Sequence, residues 1–557
     1  MLVPVHRLMA PLAAALLAGV VLPAPAALAE ATPPALRPLL RSFEAYARDL
    51  DRLDQAWPAD AESAAPSPVE TAELLRRLPA PAAGALPDEP SAVAIRESLR
   101  LDLQQAIALA VQNDPVLQQQ IARVNEQQGW LLSVRGRFYP ILGLALGGGY
   151  SQQAGSNWAW KGNLGVEGYG VNSAFAVPTG SSNRYQTNIG EGFAQLRLDY
   201  ELVSFERSAA LAQVKADLQE SQHTYANRLR QLQLDVSEAY YRLQLADQLR
   251  RIRQVVVDND TVIRDQVLAM KTAALVPRVD LLRAEALLQQ DRFRLEQAEA
   301  LRFSSQRRLS NLVNVPFDVT LVARQAVRLQ PPWPLDLEQT IVRGFQDNPQ
   351  LQALQAARTA LQRQADRSAA ELLPRVSLFA TGGYQVAQST SPVIDLNGCC
   401  KGPAFIPGLN SQGGDWAAGV LLNWRLFDAG ITTGAVQASR AAADRTAQAE
   451  AAERNAIRQR LEAAYYGHRA ALSQIIAANA SFRAAREAYR DSRARYEFGL
   501  ADYTDLADTI RSLTTAMEQR AEAMTLANLS YAQLLRELLP VPSRPDQPVE
   551  LPITLPQ

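Results

Sequence analysis

"RFYPILGLALGGGY" (Arg137–Tyr150) and "LLPRVSLFATGGY" (Leu372–Tyr384) are two versions of one segment. Each has a proline, then alternating apolar and small residues, then a closing Gly-Gly-Tyr, and Pro140 and Pro374 stand 234 positions apart. The same offset relates "ALAVQNDPVL" (Ala108–Leu117) to "VRGFQDNPQL" (Val342–Leu351). Further on, "LDYEL" (Leu198–Leu202) answers "LNWRL" (Leu422–Leu426) at an offset of 224. At 225, "EAYYRLQLA" (Glu238–Ala246) answers "AAYYGHRAA" (Ala463–Ala471), and "ALVPRVDLL" (Ala274–Leu282) answers "GLADYTDLA" (Gly499–Ala507). Two halves that align almost without gaps are an internal duplication, and the segment between the paired strands is about ten residues longer in the first half.

Each half reads as helix, strand, loop, strand, very long helix, tight turn, helix. The first helix is expected over Leu103–Gly136, with a break before Pro115 because proline disfavours helix at the residue preceding it. The long helix starts after Phe205, and Leu211, Val214, Leu218, Tyr225, Leu232, Val236 and Leu243 keep a coiled-coil-like spacing of three and four. It runs to about Ala274, where "ALVPR" breaks it; Pro277 suits the first turn of the next helix, which ends near Asn311. A helix of about 70 residues is about 105 Å long, so an elongated molecule is expected, its wall alternating continuous helices with stacked shorter pairs.

The strands alternate cleanly. Ala194, Leu196, Leu198, Tyr200 and Leu202 share one face, while Phe193, Gln195, Arg197, Asp199 and Glu201 share the other. Leu142, Leu144, Leu146 and Tyr150 oppose Ile141, Gly143, Ala145 and Gly147; Trp416, Val420, Leu422, Trp424 and Leu426 oppose Ala417, Gly419, Asn423 and Arg425. An ordinary half-buried antiparallel sheet carries this pattern, and so does an outer-membrane barrel, apolar toward lipid and polar toward a lumen.

The N-terminus favours the second. His6 and Arg7 precede the apolar run "LMAPLAAALLAGVVLPAPAALA", which ends in Ala27-Leu28-Ala29, the layout of a secretory signal peptide cut after Ala29. No cysteine near the cut offers a lipid attachment site, and no later stretch approaches about eighteen consecutive apolar residues. Four strands cannot close a barrel, since single-chain barrels start at about eight, and an open edge is not tolerated in lipid. Several subunits are therefore expected to share one barrel.

Composition narrows the function. In 557 residues the net charge is −1 and 20% of residues are charged, which gives no basic footprint for nucleic acid. The three histidines (His6, His223, His468) are too dispersed for a metal site. No GxSxG, HExxH or GxxxxGK pattern occurs, so no enzyme activity and no cofactor is expected. The only cysteines, Cys399 and Cys400, are neighbours in an outer loop, too close for an unstrained disulfide; a loop without chemistry, or an intermolecular or metal role, are both open.

Duplicated "N-P"-type starts, paired hairpins, long helices and the "YEFGLADYTDLAD" turn (Tyr496–Asp508) together resemble the TolC family of outer-membrane efflux proteins over about Leu101–Leu539. The resemblance implies a mainly α chain with a small transmembrane β-barrel contribution. It further implies an internally duplicated long-helix tunnel with four membrane strands per chain, barrel and tunnel being completed by a homotrimer. It implies an exit duct in the cell outer membrane with a long periplasmic extension. Its partners would be a periplasmic adaptor, an inner-membrane pump and outer-membrane lipid, and its cargo drugs, toxins or proteins. Tyr496, Asp505 and Asp508 match the family's gate tyrosine and ring-forming aspartates, and Asp280 matches the tyrosine's partner. The family's gate arginine is replaced by Ala501, with Arg278 at the other tip as a candidate substitute. Leu275, Val276, Gly499 and Leu500 match the turns where adaptors dock. A local reading of the same residues stays open: Asp502 caps a helix, Asp505 sits in its first turn, and the tip residues merely make the turn.

The expected organisation is a signal peptide (1–29), a Pro/Ala-rich extension (30–98), the first repeat (99–314), an equatorial connection (315–339), the second repeat (340–539) and a Pro-rich tail (540–557). Within the extension, Pro38–Trp57 has helical spacing and would pack on the tunnel or bind a partner; "PAPAAGALPDEP" reads as linker. The chief rival is a non-channel coiled-coil stalk or spacer spanning the envelope, which accounts for the heptads but not for the duplicated hairpins.

Overall fold

The computed structural model describes residues 68–84, 86–158, 182–325, 327–390, 393–396, 400–403 and 408–556. The signal peptide, the Pro38–Trp57 segment and Cys399 lie outside the described residues. In chain order the elements are α1 (Pro68–Arg77), β1 (Glu97–Leu101), α2 (Leu103–Asn113), α3 (Pro115–Gly136), β2 (Ile141–Trp158), β3 (Ser182–Val203), α4 (Phe205–Thr272), α5 (Arg278–Val313) and β4 (Val319–Ala323). The second half follows with α6 (Leu337–Gln346), α7 (Pro349–Ala370), β5 (Arg375–Ser389), β6 (Val393–Leu396), β7 (Cys400–Pro403), β8 (Leu409–Asn423), α8 (Ile431–Glu497) and α9 (Tyr503–Leu538). The expected order holds in both halves. Among the described residues no helix is long and apolar enough to cross a membrane.

The chain forms two compact units, each drawing on both repeats: residues 1–112, 235–334 and 464–532 in one, residues 113–234, 335–463 and 533–557 in the other.

The second unit holds the sheet. β2, β3, β5 and β8 run antiparallel in that order, and β6 and β7 prolong β5 and β8 as a short pair beside the start of β3. Register puts the apolar positions in rows across all four strands: Leu142, Leu198, Ala380 and Ala418 in one, Leu144, Leu196, Gly382 and Trp416 in the next. The other face carries Arg197, whose guanidinium is 2.8 Å from Asp199, beside Gly143 and Thr381. Three aromatic rings on the sheet lie over glycines: a Cβ on Gly147 would meet Phe193 at 2.6 Å, one on Gly155 would meet Tyr185 at 2.8 Å, and one on Gly419 would meet Phe379 at 3.0 Å. β8 is shorter than its alternation suggests, ending at Asn423; Trp424 instead donates its Nε1–H to the Leu372 carbonyl, 3.0 Å away.

Below the strands, each repeat opens on the same punctuation. Asp114 is the N-cap of α3, accepting the Leu117 N–H at 2.9 Å, and Pro115 fills the first position, where no N–H is needed. Asn348 and Pro349 do the same for α7. Asp114 also takes a 2.8 Å ion pair from Arg228 of α4, and Asn348 donates to Glu537 of α9 at 3.2 Å. Of the predicted α4 seam in this unit, Tyr225 and Leu232 are buried, whereas Leu211, Val214 and Leu218 are half-buried. The tail is anchored: Leu551 is buried, and Gln233 donates to the Pro552 carbonyl at 2.9 Å.

In the first unit β1 and β4 pair in parallel with Leu99 opposite Leu321, so the start of the first repeat is tied to the equatorial connection. The connection then runs extended, with Asn528 of α9 acting as a strand would: its Oδ1 accepts the Gln330 N–H and its Nδ2 donates to the Arg328 carbonyl. Val327, Leu329, Ile475, Met524 and Ala527 close an apolar cluster there. The described end of the extension is pinned to this unit by ion pairs from Arg324 to Glu70 and from Arg77 to Glu97.

Arg230 of α4 is buried and donates to three carbonyls, those of Leu539 (2.6 Å), Glu537 (3.0 Å) and Asp347 (3.2 Å). It therefore closes the C-terminal ends of α6 and α9 together, and burial lowers its pKa to about 10. Arg230→Met is expected to destabilise the protein by about 3 kcal/mol, because three buried acceptors lose their donor. Denaturant unfolding of the variant beside the parent measures this; a change below about 1 kcal/mol would show the clamp to be dispensable.

Candidate functional site

The expected site residues all fall at one end of the first unit, on the α4–α5 and α8–α9 connections, and these are one turn built twice. After α4, Ala274 takes a left-handed φ of 57° and the Leu275 N–H reaches back to the Met270 carbonyl at 2.9 Å. After α8, Gly499 has φ 70° and the Leu500 N–H reaches the Arg495 carbonyl at 2.8 Å. This is the helix stop in which a left-handed residue lets the chain satisfy the last carbonyls. The next residue projects outward: Leu275 is 72% and Leu500 77% exposed, joined by Phe498. Val276 instead turns inward and packs on the core.

The following helices start differently. Pro277 is the residue before α5, at the N-cap and not within the first turn as its sequence suggested. Asp502 caps α9, accepting the Asp505 N–H at 3.0 Å, and Asp505 lies in the first turn, where the positive helix end favours a carboxylate.

Behind the turns, four helices share an apolar cluster that includes Ile263 and Val267 of α4, Leu281 of α5, Tyr496 of α8, and Tyr503 and Leu506 of α9. Tyr496 meets Tyr503 edge-on, ring centroids 6.2 Å apart. The Tyr496 hydroxyl is buried and makes no hydrogen bond among the described residues. Burial, with the Asp280 charge nearby, pushes its pKa up to about 12, so the phenol stays neutral.

Asp280 is thus brought close to Tyr496, but its carboxylate faces Arg283, 3.8 Å away. Arg283 also donates to the Thr504 hydroxyl at 3.1 Å, joining α5 to α9. The sequence reading missed Arg283. Its spacing of three from Asp280 was the available signal, whereas the contact with Thr504, more than two hundred residues away, was not. Arg278 and Ala501 make no such bridge: Arg278 is exposed and Ala501 half-buried. Asp505 and Asp508 are both exposed on α9, and Asp508 pairs with Arg511. The arrangement offers a charged rim, exposed leucines and one cross-link between repeats, with no nucleophile–base pair. Among the described residues no His, Cys, Asp and Glu cluster is placed to hold a metal ion.

Comparisons with known proteins bear on this geometry. The family model described as "Outer membrane efflux protein" matches residues 341–538. No curated protein matches the sequence. Among solved structures, the Campylobacter jejuni CmeC outer membrane channel superposes with a TM-score of 0.60 at 14% identity, covering 82% of this chain and 90% of that one. The Vibrio cholerae outer membrane protein VceC gives 0.58 at 17% identity, covering 78% and 95%. The open state of the Neisseria gonorrhoeae MtrE outer membrane channel gives 0.52 at 19% identity, covering 78% and 88%. These likenesses establish a shared fold.

As helix stops the two turns share their geometry but place alanine in one and glycine in the other at the positive φ, and Cβ makes that conformation costly by about 1–2 kcal/mol. Gly499→Ala should loosen its tip and Ala274→Gly should firm its own, each by about 1 kcal/mol. Amide hydrogen exchange at residues 495–500 and 270–275 reads both; unchanged protection in both variants would contradict this account of the turn.

Proposed function

We propose that the protein is the outer-membrane exit channel of a tripartite efflux or secretion system, a reading supported by the outer membrane efflux protein model that matches its second repeat and by the channel-like fold that extends over both repeats. The observation that carries the reading is the sheet. Its apolar face is continuous and outward, with Leu142, Leu144, Trp416 and Val420 all more than 60% exposed in the single chain. Among the described residues its outer strands β2 and β8 each pair on one side only. An apolar face wants lipid, and unpaired strand edges are not tolerated there. Three copies joined β8 to β2 satisfy both demands with a barrel of twelve strands, its polar face lining the lumen.

The helices extend the duct into the periplasm, and their tips meet the rest of the machine. Leu275, Leu500 and the turn at Gly499 form an apolar docking edge for a periplasmic adaptor, with Val276 holding the turn from inside. Asp505 and Asp508, repeated by threefold symmetry, ring the mouth with carboxylates, those of Asp508 partly offset by Arg511. Tyr496 and Asp280 belong to the packed gate, and Arg283, not Arg278, ties it by its contact with Thr504. The inner-membrane pump supplies cargo through the adaptor.

Single-particle images of detergent-extracted protein are expected to show a threefold hollow cylinder; a solid rod without a lumen would leave the stalk reading in its place. In planar bilayers, Arg283→Ala is expected to raise basal conductance several-fold, since removing a bond of about 1–1.5 kcal/mol shifts a closed–open equilibrium by about tenfold. Unchanged conductance would remove Arg283 from the gate.

A further inference from the structure

Behind the tip lies a polar contact that the gate reading leaves unused. Asp260 of α4 sits between Val256 and Ile263 of the apolar cluster and is only 4% exposed. Both of its carboxyl oxygens are buried, and among the described residues neither accepts a hydrogen bond from an N–H or O–H. What it touches is a second carboxyl group, Asp291 of α5, at hydrogen-bonding contact and equally buried. Asp291 is held by Arg253 at 3.4 Å and Arg294 at 3.3 Å, and Arg253 is shared with Glu518 of α9 at 2.5 Å.

The remaining polar groups facing Asp260 come from α8 and α9. Tyr489 gives its hydroxyl proton to Asn259 at 2.8 Å and lies beside Arg493, which pairs with Glu497; Tyr503 is the group on α9. None of them donates to Asp260. Two buried carboxyl oxygens in contact, with no donor between them, coexist only when they share a proton. Burial without a donor and the neighbouring Asp291 raise the Asp260 pKa, which places that proton on Asp260.

We infer that the Asp260–Asp291 contact is a proton-operated catch on the tip bundle: the shared proton holds α4 against α5 behind the gate, and its loss loosens the bundle toward the open channel. This rests on the gate reading above. The direction follows from linkage. Burial and the neighbouring Asp291 push the Asp260 pKa up to about 8 in the packed form, whereas an aspartate freed to water has a pKa of about 4. The packed form therefore binds a proton that the loosened form releases. Packing is favoured at low pH, weakens as pH rises between those two values by up to about tenfold per unit, and changes no further above them. Near neutrality the tip sits on this slope.

Two measurements on the full-length trimer test it. Infrared spectroscopy should show a protonated carboxyl band at about pH 6 that disappears above about pH 8 and is absent from Asp260→Asn; its absence from the parent at about pH 6 would overturn the shared proton. Conductance of the parent in planar bilayers should rise several-fold from about pH 5 to about pH 9. Asp260→Asn should stay low throughout, its amide donating to Asp291 without any proton to lose. A titrating band with pH-independent conductance would overturn the coupling to the gate. Arg283→Ala, measured alongside, separates the two failures: if it opens the channel, only the catch falls; if it does not, the gate reading falls with it.

Discussion

Backbone hydrogen bonding at the strand edges is the constraint on which the rest of the structure depends. In the proposed channel the apolar face of the sheet meets lipid, and lipid offers nothing to an unpaired N–H. One copy of this chain leaves β2 and β8 each with an open side. Each half contributes one hairpin, and in the proposed trimer closure onto further copies would leave no edge. The glycines under Phe193 and Phe379 fit the same need, since a curving sheet must let large rings lie across the strand beside them.

Helix termini carry the second constraint. A chain with two helices longer than sixty residues must fix where each one stops, because a slip of one residue would rotate the whole seam. At the start of each repeat the stop is a side-chain cap followed by proline; at the tips it is a left-handed residue. Apolar seams are tolerant of small shifts, but caps and bonds such as those of Arg230 are not, so polar contacts set the register and apolar contacts supply the bulk of the packing.

Near the tip the proposed gate would draw on the same division. An apolar cluster alone would hold the four helices together at every pH. The Arg283–Thr504 bond, the unbonded Tyr496 hydroxyl and the Asp260–Asp291 contact sit within or against that cluster. In the proposed gate each is a place where the packing would be released without dismantling the fold. Buried polar groups of this kind are weak contributors to stability and sensitive determinants of which packed state is populated.

What the sequence determined by itself was whatever is periodic or local. Repeats at fixed offsets gave the two halves, alternation gave the strand faces, and Pro115 with its cap gave the break between α2 and α3, because each of these is written in adjacent residues. The Asp502 cap and the first-turn place of Asp505 were legible for the same reason. β1 was not: five residues that form a strand only because β4, more than two hundred positions later, lies beside them carry no signal of their own. The end of β8 at Asn423 likewise depends on its partner β5 beginning at Arg375, so alternation through Leu426 overran it. The tertiary structure alone decided which arginine crosses between the tips, which carboxyl groups meet, and that the Tyr496 hydroxyl is left without a partner. Those facts concern pairs of residues from different repeats or different helices, and no local pattern fixes which long side chain reaches which distant oxygen.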